Sequence, residues 1–286
     1  MQSTPRLFGA GGVVLAGGRS SRMGTPKAAL DWHGSTLLYR TTALLQRAVS
    51  GPVVVVSAPG QELPPLPDGV RVVEDPVEGL GPLQGIAAGL QVVGETVPIA
   101  FVTSTDLPFL HPRYVHRVMT SMDDVEVALP ILHDHRQPLA AGYRTELGER
   151  ATELIEKGAR TPGELFAESN VRVLDAAHLL ADPVLEHVDP DLASVRNINT
   201  AEEYEQARSE PEPEITMHIH GTWMDQGKTR IETVRAANIG SATRTMRIGI
   251  SAALLVTVNS EKVAKEPDVP LFQGDSVAIL TSNVGV

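Results

Sequence analysis

The sequence has no cysteine, few aromatic residues (4%) and no excess of positive charge, its net charge being −11 over 286 residues. Without thiols there can be neither a disulfide framework nor a thiolate metal site, and a cytoplasmic setting is the simpler expectation. Without a clustered basic surface, nothing favours non-specific nucleic-acid binding. No apolar run reaches the length of a membrane span, and the first twelve residues lack the charged region, apolar stretch and small-residue cleavage site of a secretory signal. A hydrophobic content of 42% with a mean hydropathy of −0.03 suits a globular chain, long enough for one large or two unequal domains. Residues 214–286 carry seven basic and seven acidic side chains, so the whole acidic excess lies in the first 213. Phosphate ligands would have to be met by local cations.

Such cations sit in residues 13–27, VVLAGGRSSRMGTPK. Val13, Val14, Leu15 and Ala16 read as a short buried strand of a parallel sheet, stopped by a glycine pair. Gly17 and Gly18 let the backbone curl closely around a ligand, since without a Cβ they accept positive φ. Arg19, Arg22 and Lys27 bring positive charge to that curl, and Ser20 and Ser21 bring hydroxyl donors. Two other glycine loops do not fit. The dinucleotide fingerprint needs G-x-G-x-x-G, and the P-loop needs four residues between its glycines with Lys directly after the second; here five separate Gly18 from Gly24, and Thr25 and Pro26 precede Lys27. A polyphosphate-binding loop remains, against the blander reading of a strand-to-helix turn with solvated basic side chains.

Downstream, strands alternate with helices. Residues 36–49 have the spacing of an amphipathic helix ending at Gly51 and Pro52; 53–56 read as a second strand, 57–69 as a proline-rich loop, and 70–73 as a third strand that ends at Glu74 and Asp75. Residues 79–90, GLGPLQGIAAGL, are either a plain loop and close-packed helix or a ligand-side turn. A fourth strand, 99–103, delivers Asp106 into a loop. That Asp could cap a turn before Pro108, or could hold a metal, because Mg²⁺ usually binds through one or two carboxylates plus substrate phosphates. Residues 125–130 read as a strand. His133 and His135 read as solvated loop residues. Helices follow at 145–157 and 161–169, the latter opening on Thr161, Pro162 and Glu164 as cap, first turn and capping-box partner, and then a strand at 171–174. Asn197, Asn199 and Thr200 read as the cap of a helix beginning AEEYEQAR. The alternation predicts an α/β domain with an open, mostly parallel sheet and a ligand beyond the carboxyl ends of its strands.

LAGG-x-S-x-R-M-G followed by Lys resembles the signature of the MobA-like nucleotidyltransferases. That resemblance implies a Rossmann-like fold of the nucleotide-diphospho-sugar transferase type and a GTP-dependent guanylyl transfer to a molybdopterin-type phosphate acceptor, with Mg²⁺ as cofactor and pyrophosphate as product. Many members have Asp before the Lys, where this chain has Pro26. It implies Arg22, Lys27 and Asp106 as catalytic residues. It implies nucleotide contacts from Leu15, Ala16, Gly17, Gly18, Ser20, Gly24, Lys27 and Asp75, and from Gly81, Pro82, Leu83 and Gly85, which match the family's GPL-x-G motif. Asp106 matches its D-x-P motif and Asn199 its N-x-N-T, together the metal side; Gln137, Pro138 and Leu139 match its Q-P-L strand on the acceptor side. A cytidylyltransferase, a sugar-phosphate nucleotidyltransferase or a non-enzymatic adaptor is the alternative.

Residues 209–214, SEPEPE, have the composition of an extended linker, which divides the chain into domains at 1–208 and 215–286. Residues 215–220 alternate as a half-buried strand, so His218 and His220 are spaced by the pleat. Residues 254–258 read as a strand, and LFQGDSVAIL as a turn and final strand. VTVN-S-E with L-x-x-GD-x-VAIL resembles the small β-grasp sulfur-carrier proteins of molybdopterin and thiamine synthesis, implying docking of cofactor-synthesis proteins. Their chemistry needs a terminal Gly-Gly; Gly285 followed by Val286 counts against direct sulfur transfer, so the alternatives are a docking module or a sulfur carrier from which Val286 is removed.

Overall fold

The computed structural model describes residues 5–17, 26–75, 79, 81–220, 229–248, 254–263 and 267–281. They form two compact units, one comprising Pro5–Leu30 and Thr36–Tyr204, the other Asp31–Ser35 and Glu205–Val286.

In the larger unit the sheet runs Val171–Leu174, Val127–Leu132, Ala140–Arg144, Ile99–Ser104, Ala10–Leu15, Val53–Ser57 and Arg71–Glu74. Ala140–Arg144 is antiparallel to both neighbours and the other pairs in this order are parallel; off the order, the short His135–Arg136 strand pairs antiparallel with Val127–Leu132. Every residue of the central Ala10–Leu15 strand is buried, which explains its unbroken small and apolar sequence. Gly12 and Val13 point to opposite faces. A Cβ on Gly12 would stand 2.7 Å from Leu45 Cδ1, whereas Val13 Cγ1 lies 2.3 Å from the Cβ position of Gly89. The Leu37–Ala48 and Pro82–Gly94 helices therefore cover the two faces, and the second approaches so closely that a small-residue sequence is required. Leu83, Ile86 and Leu90 are fully buried there, each contributing about 1.5–3 kcal/mol by leaving water.

Local signals set the helix starts. Thr36 accepts from Tyr39 N at 3.1 Å, and Thr161 and Glu164 form the expected capping box before Pro162–Ala167. The third strand is Arg71–Glu74 and the fifth Val127–Leu132, displaced by one and two residues from the sequence expectation. The expected Gln137-Pro138-Leu139 strand is a turn: Ala140 N donates to Gln137 O at 3.1 Å and the strand begins at Ala140. Pro138 has no N–H and a fixed φ, which favours a turn over ladder pairing. The Pro112–Met119 helix had no counterpart in the sequence reading; its buried side chains include Tyr114, Val115, Val118 and Met119.

In the smaller unit, a five-stranded sheet runs Arg230–Arg235, Glu214–His220, Ser276–Thr281, Leu254–Val258 and Glu261–Lys262. Glu214–His220 and Ser276–Thr281 are parallel and the other pairs antiparallel. Ile215, Met217 and Ile219 face a core with Val256, Val277, Ile279 and Ile239 of the Ile239–Thr245 helix. His218 and His220 fall on the opposite face, as their pleat spacing requires. The proline-rich stretch is tied to this unit: Pro213 O accepts from Ala236 N at 3.0 Å, and Glu212 accepts from Ala237 N at 3.1 Å. Among the described residues no helix is long and apolar enough to cross a membrane.

Candidate active site

From the central strand the chain passes to Val53–Ser57 and Arg71–Glu74 on one side, then to Ile99–Ser104 on the other. This reversal is the topological switch point at which open α/β sheets leave a crevice. A cavity of about 710 Å³ occupies it, bordered by Leu15, Ala16, Gly17, Lys27, Asp75, Gly81, Pro82, Gly85 and Asp106. That volume is suited to a nucleotide-sized ligand. Leu83 takes no part in the wall, since it is fully buried in the core. From the Gln137-Pro138-Leu139 stretch, Leu139 reaches the wall. Gln137 and Pro138 lie in the preceding turn, Gln137 Nε2 donating to His135 O at 3.3 Å and Pro138 O accepting from Tyr143 Oη at 2.7 Å. Gly18, Ser20, Arg22 and Gly24, with Arg19 and Ser21, lie outside the described residues.

Gly81 adopts φ 83° at the N-cap of the Pro82–Gly94 helix, and a Cβ there would meet Arg160 O at 2.6 Å. Only glycine fits both the dihedral and the space. Its N-cap, Gly81, has no side chain to cap it, and its positive end, at Gly81, Pro82 and Gly85 on the cavity wall, favours an anionic ligand.

Opposite, Lys27 opens a short 3₁₀ turn, Lys27–Ala29. Its Nζ donates to Ile198 O at 2.7 Å and Asn199 Oδ1 at 3.2 Å, and stands 3.9 Å from Asp106 Oδ2. The two ionic side chains are 22% and 23% exposed, open enough for a ligand to reach. Asp106 Oδ1 accepts from Ser104 Oγ, and Asp106 O accepts from Ile198 N at 2.9 Å. The Arg196 guanidinium lies 3.8 Å over the Phe109 ring, a further tie between the two loops. Lys27, Asp106 and Asn199 thus meet, although three separate parts of the chain supply them.

Among the described residues no cluster of three His, Asp or Glu side chains could hold a metal by itself, and His133 and His135 are exposed. The donors do suit a hard cation shared with substrate phosphates. Among the described residues Asp106 and Asp75 are the carboxylates on the wall, and such a cation usually binds through one or two carboxylates plus substrate phosphates.

Gln61 escaped the sequence reading. Its Oε1 accepts from Ala58 N at 3.0 Å and its Nε2 donates to Ala16 O at 3.1 Å, clamping the loop after the second strand to the start of the glycine loop. A polar residue after a Pro-Gly turn at a strand's carboxyl end was the available signal. Glu203 was read only as a favourable charge at a helix start. It accepts from Asn199 N at 2.6 Å and Thr200 N at 3.1 Å. Those two N–H groups, chiefly, hold its carboxyl below the usual glutamate range; partial desolvation opposes them, and the Lys27 charge assists.

The MobA-like NTP transferase domain family matches residues 12–173. A protein of Mycobacterium tuberculosis named probable molybdenum cofactor guanylyltransferase is 40% identical over 164 residues, 56% of this chain and 80% of the relative. A Bacillus mycoides protein of the same name is 30% identical over 202 residues, 70% of this chain and 96% of the relative. The solved structure of molybdopterin-guanine dinucleotide biosynthesis protein A from Archaeoglobus fulgidus has a TM-score of 0.53 at 22% identity, covering 69% of this chain and 96% of that one. A Thermus thermophilus 2-C-methyl-D-erythritol 4-phosphate cytidylyltransferase gives 0.52 at 21% identity, with coverage of 69% and 96%. These two structural likenesses concern the fold.

Proposed function

The chain belongs to the MobA-like NTP transferase family, and on that premise we propose that it is a molybdenum cofactor guanylyltransferase. The observation that carries this reading is the pairing of Lys27 with Asp106, 3.9 Å apart, on the wall of a nucleotide-sized cavity at the switch point. A terminal phosphate oxygen of a molybdopterin-type acceptor forms a new bond to the α-phosphorus of GTP. The bond from that phosphorus to the bridging oxygen breaks, and pyrophosphate leaves with its electron pair.

The acceptor already carries a nucleophilic oxygen, so no covalent enzyme intermediate is needed and the protein's part is positioning and charge neutralisation. Lys27, with Arg22 from the glycine loop, offsets the triphosphate charge. Leu15, Ala16 and Gly17 border the nucleotide on one side, with Gly18, Ser20 and Gly24 continuing the loop; Gly81, Pro82, Gly85 and Asp75 border it on the other. Gln137 and Pro138 are assigned to the acceptor side, and Leu83 supports the nucleotide side from the core. Asp106, with Asn199 beside it, would hold Mg²⁺, which when bound supplies charge neutralisation to the phosphates.

For the smaller unit the proposal is a β-grasp docking module for cofactor-synthesis proteins, with domains at 1–208 and 215–286 joined through 209–214. Support comes from its topology, a hairpin, a helix and three further strands, with the first and last strands parallel inside a mixed sheet. The cytoplasm, where GTP is available, is the proposed setting.

The test is pyrophosphate release with GTP, CTP, ATP or UTP, with Mg²⁺, and with the molybdopterin-type acceptor present or absent. Acceptor-dependent release with GTP alone supports the reading. Preference for CTP moves the protein to a cytidylyl specificity, and tight nucleotide binding without release points to an adaptor.

A further inference from the structure

Glu203 does more than begin a helix. Its Oε2 accepts from both Asn199 N and Thr200 N, and Thr200 Oγ1 accepts from Glu203 N at 3.1 Å. This reciprocal arrangement fixes the peptide units around Asn199. The same segment offers the Ile198 carbonyl and the Asn199 amide oxygen to Lys27 Nζ. Its other end is pinned by the Ile198 N to Asp106 O hydrogen bond at 2.9 Å. The acceptors that hold Lys27 are therefore oriented by Glu203 on one side and by the Asp106 main chain on the other. A cap serving only the helix would have no bearing on a lysine 176 positions away in sequence; here the capped turn is the lysine's seat.

Resting on the guanylyltransferase reading, we propose that Glu203 is a positioning residue for Lys27, holding the Ile198–Asn199 acceptors so that the ammonium is presented to the nucleotide triphosphate. Glu203 touches no substrate in this arrangement and acts through the turn. Its removal leaves Lys27 with mobile acceptors, and the loss appears in nucleotide binding before it appears in the chemical step.

The experiment is a double-mutant cycle on the full chain, read as the GTP dissociation constant by calorimetry and accompanied by thermal melts. Glu203→Ala is expected to weaken GTP binding by about fivefold to tenfold when Lys27 is present, and by less than about twofold in a Lys27→Ala background, because only interacting residues couple. Glu203→Gln keeps an acceptor oxygen for the two N–H groups and is expected to restore affinity to within about threefold of the unaltered protein. Equal losses from Glu203→Ala in both backgrounds, or unchanged affinity with Lys27 present, would overturn the proposal. If the unaltered protein binds CTP and not GTP, the guanine assignment fails and the same cycle read with CTP decides the role of Glu203. Binding of neither nucleotide overturns both.

Discussion

Lys27 Nζ donates to the Ile198 carbonyl at 2.7 Å across 171 positions of sequence. The cation that follows the glycine loop is thereby attached to the segment before the last helix of the larger unit. That segment in turn is bonded to the Asp106 loop through Ile198 N. One short turn thus sets the separation between Lys27 and Asp106 on the cavity wall.

Lys27→Ala removes the charge without creating a core cavity, since the side chain is partly exposed. Turnover is expected to fall by at least about 100-fold, the scale of losing one preorganised charge-stabilising group. The melting temperature should move little. Near-normal pyrophosphate release would sink the assignment of this site.

Asp106→Asn retains an oxygen for Ser104 Oγ and leaves the main-chain contact to Ile198 intact. The fold should persist, while Mg²⁺-dependent turnover drops by about 100-fold or more. Activity measured across a Mg²⁺ titration checks this, and a wild-type response would remove Asp106 from the metal role.

Gly81→Ala places a Cβ 2.6 Å from Arg160 O at a residue with φ 83°. With ψ 176° the dihedral pair lies in a region essentially restricted to glycine and alone costs about 1–3 kcal/mol, and relief of the clash displaces the helix end on the cavity wall. The expected outcome is a KM for GTP raised by about tenfold or more, with a smaller change in kcat. Steady-state kinetics separates the two.

Asp182 bonds Arg113 at 2.6 Å with its side chain 10% exposed, and caps the Pro183–Val188 helix by accepting from Val184 N and Leu185 N. Burial acts to raise its carboxyl pKa, but the Arg113 guanidinium and the two N–H groups outweigh it, so the folded-state value is depressed. A depressed value means that the stabilisation is present above the unfolded-state pKa of about 3.9 and is lost as pH falls through the lower folded one. Asp182→Asn keeps the acceptor oxygen of the cap and breaks the largely buried ion pair, and should cost about 1–3 kcal/mol at neutral pH. Denaturant melts should show the difference shrinking below about pH 4; a constant difference from neutral to strongly acidic pH would contradict this origin.

Residue patterns sufficed for the alternation of strands and helices and for the cap at Thr161, because periodicity and turn chemistry act within a few residues of one another. Their misplacements were also local: Gln137 and Pro138 fall in a turn, which the fixed φ and missing N–H of Pro138 suit, and the Pro112–Met119 helix went unread. Lys27 and Asp106 could be singled out by type and neighbourhood, and Asp75 and Gly81 through the family resemblance, but not their convergence. Tertiary structure alone decided that Lys27 rests on Ile198 and Asn199, that Gln61 clamps Ala58 to Ala16, and that Glu203 braces the turn beneath Lys27. These contacts depend on the spatial order of strands and on main-chain carbonyl and N–H groups, which every residue but proline carries alike and which no one-letter pattern distinguishes.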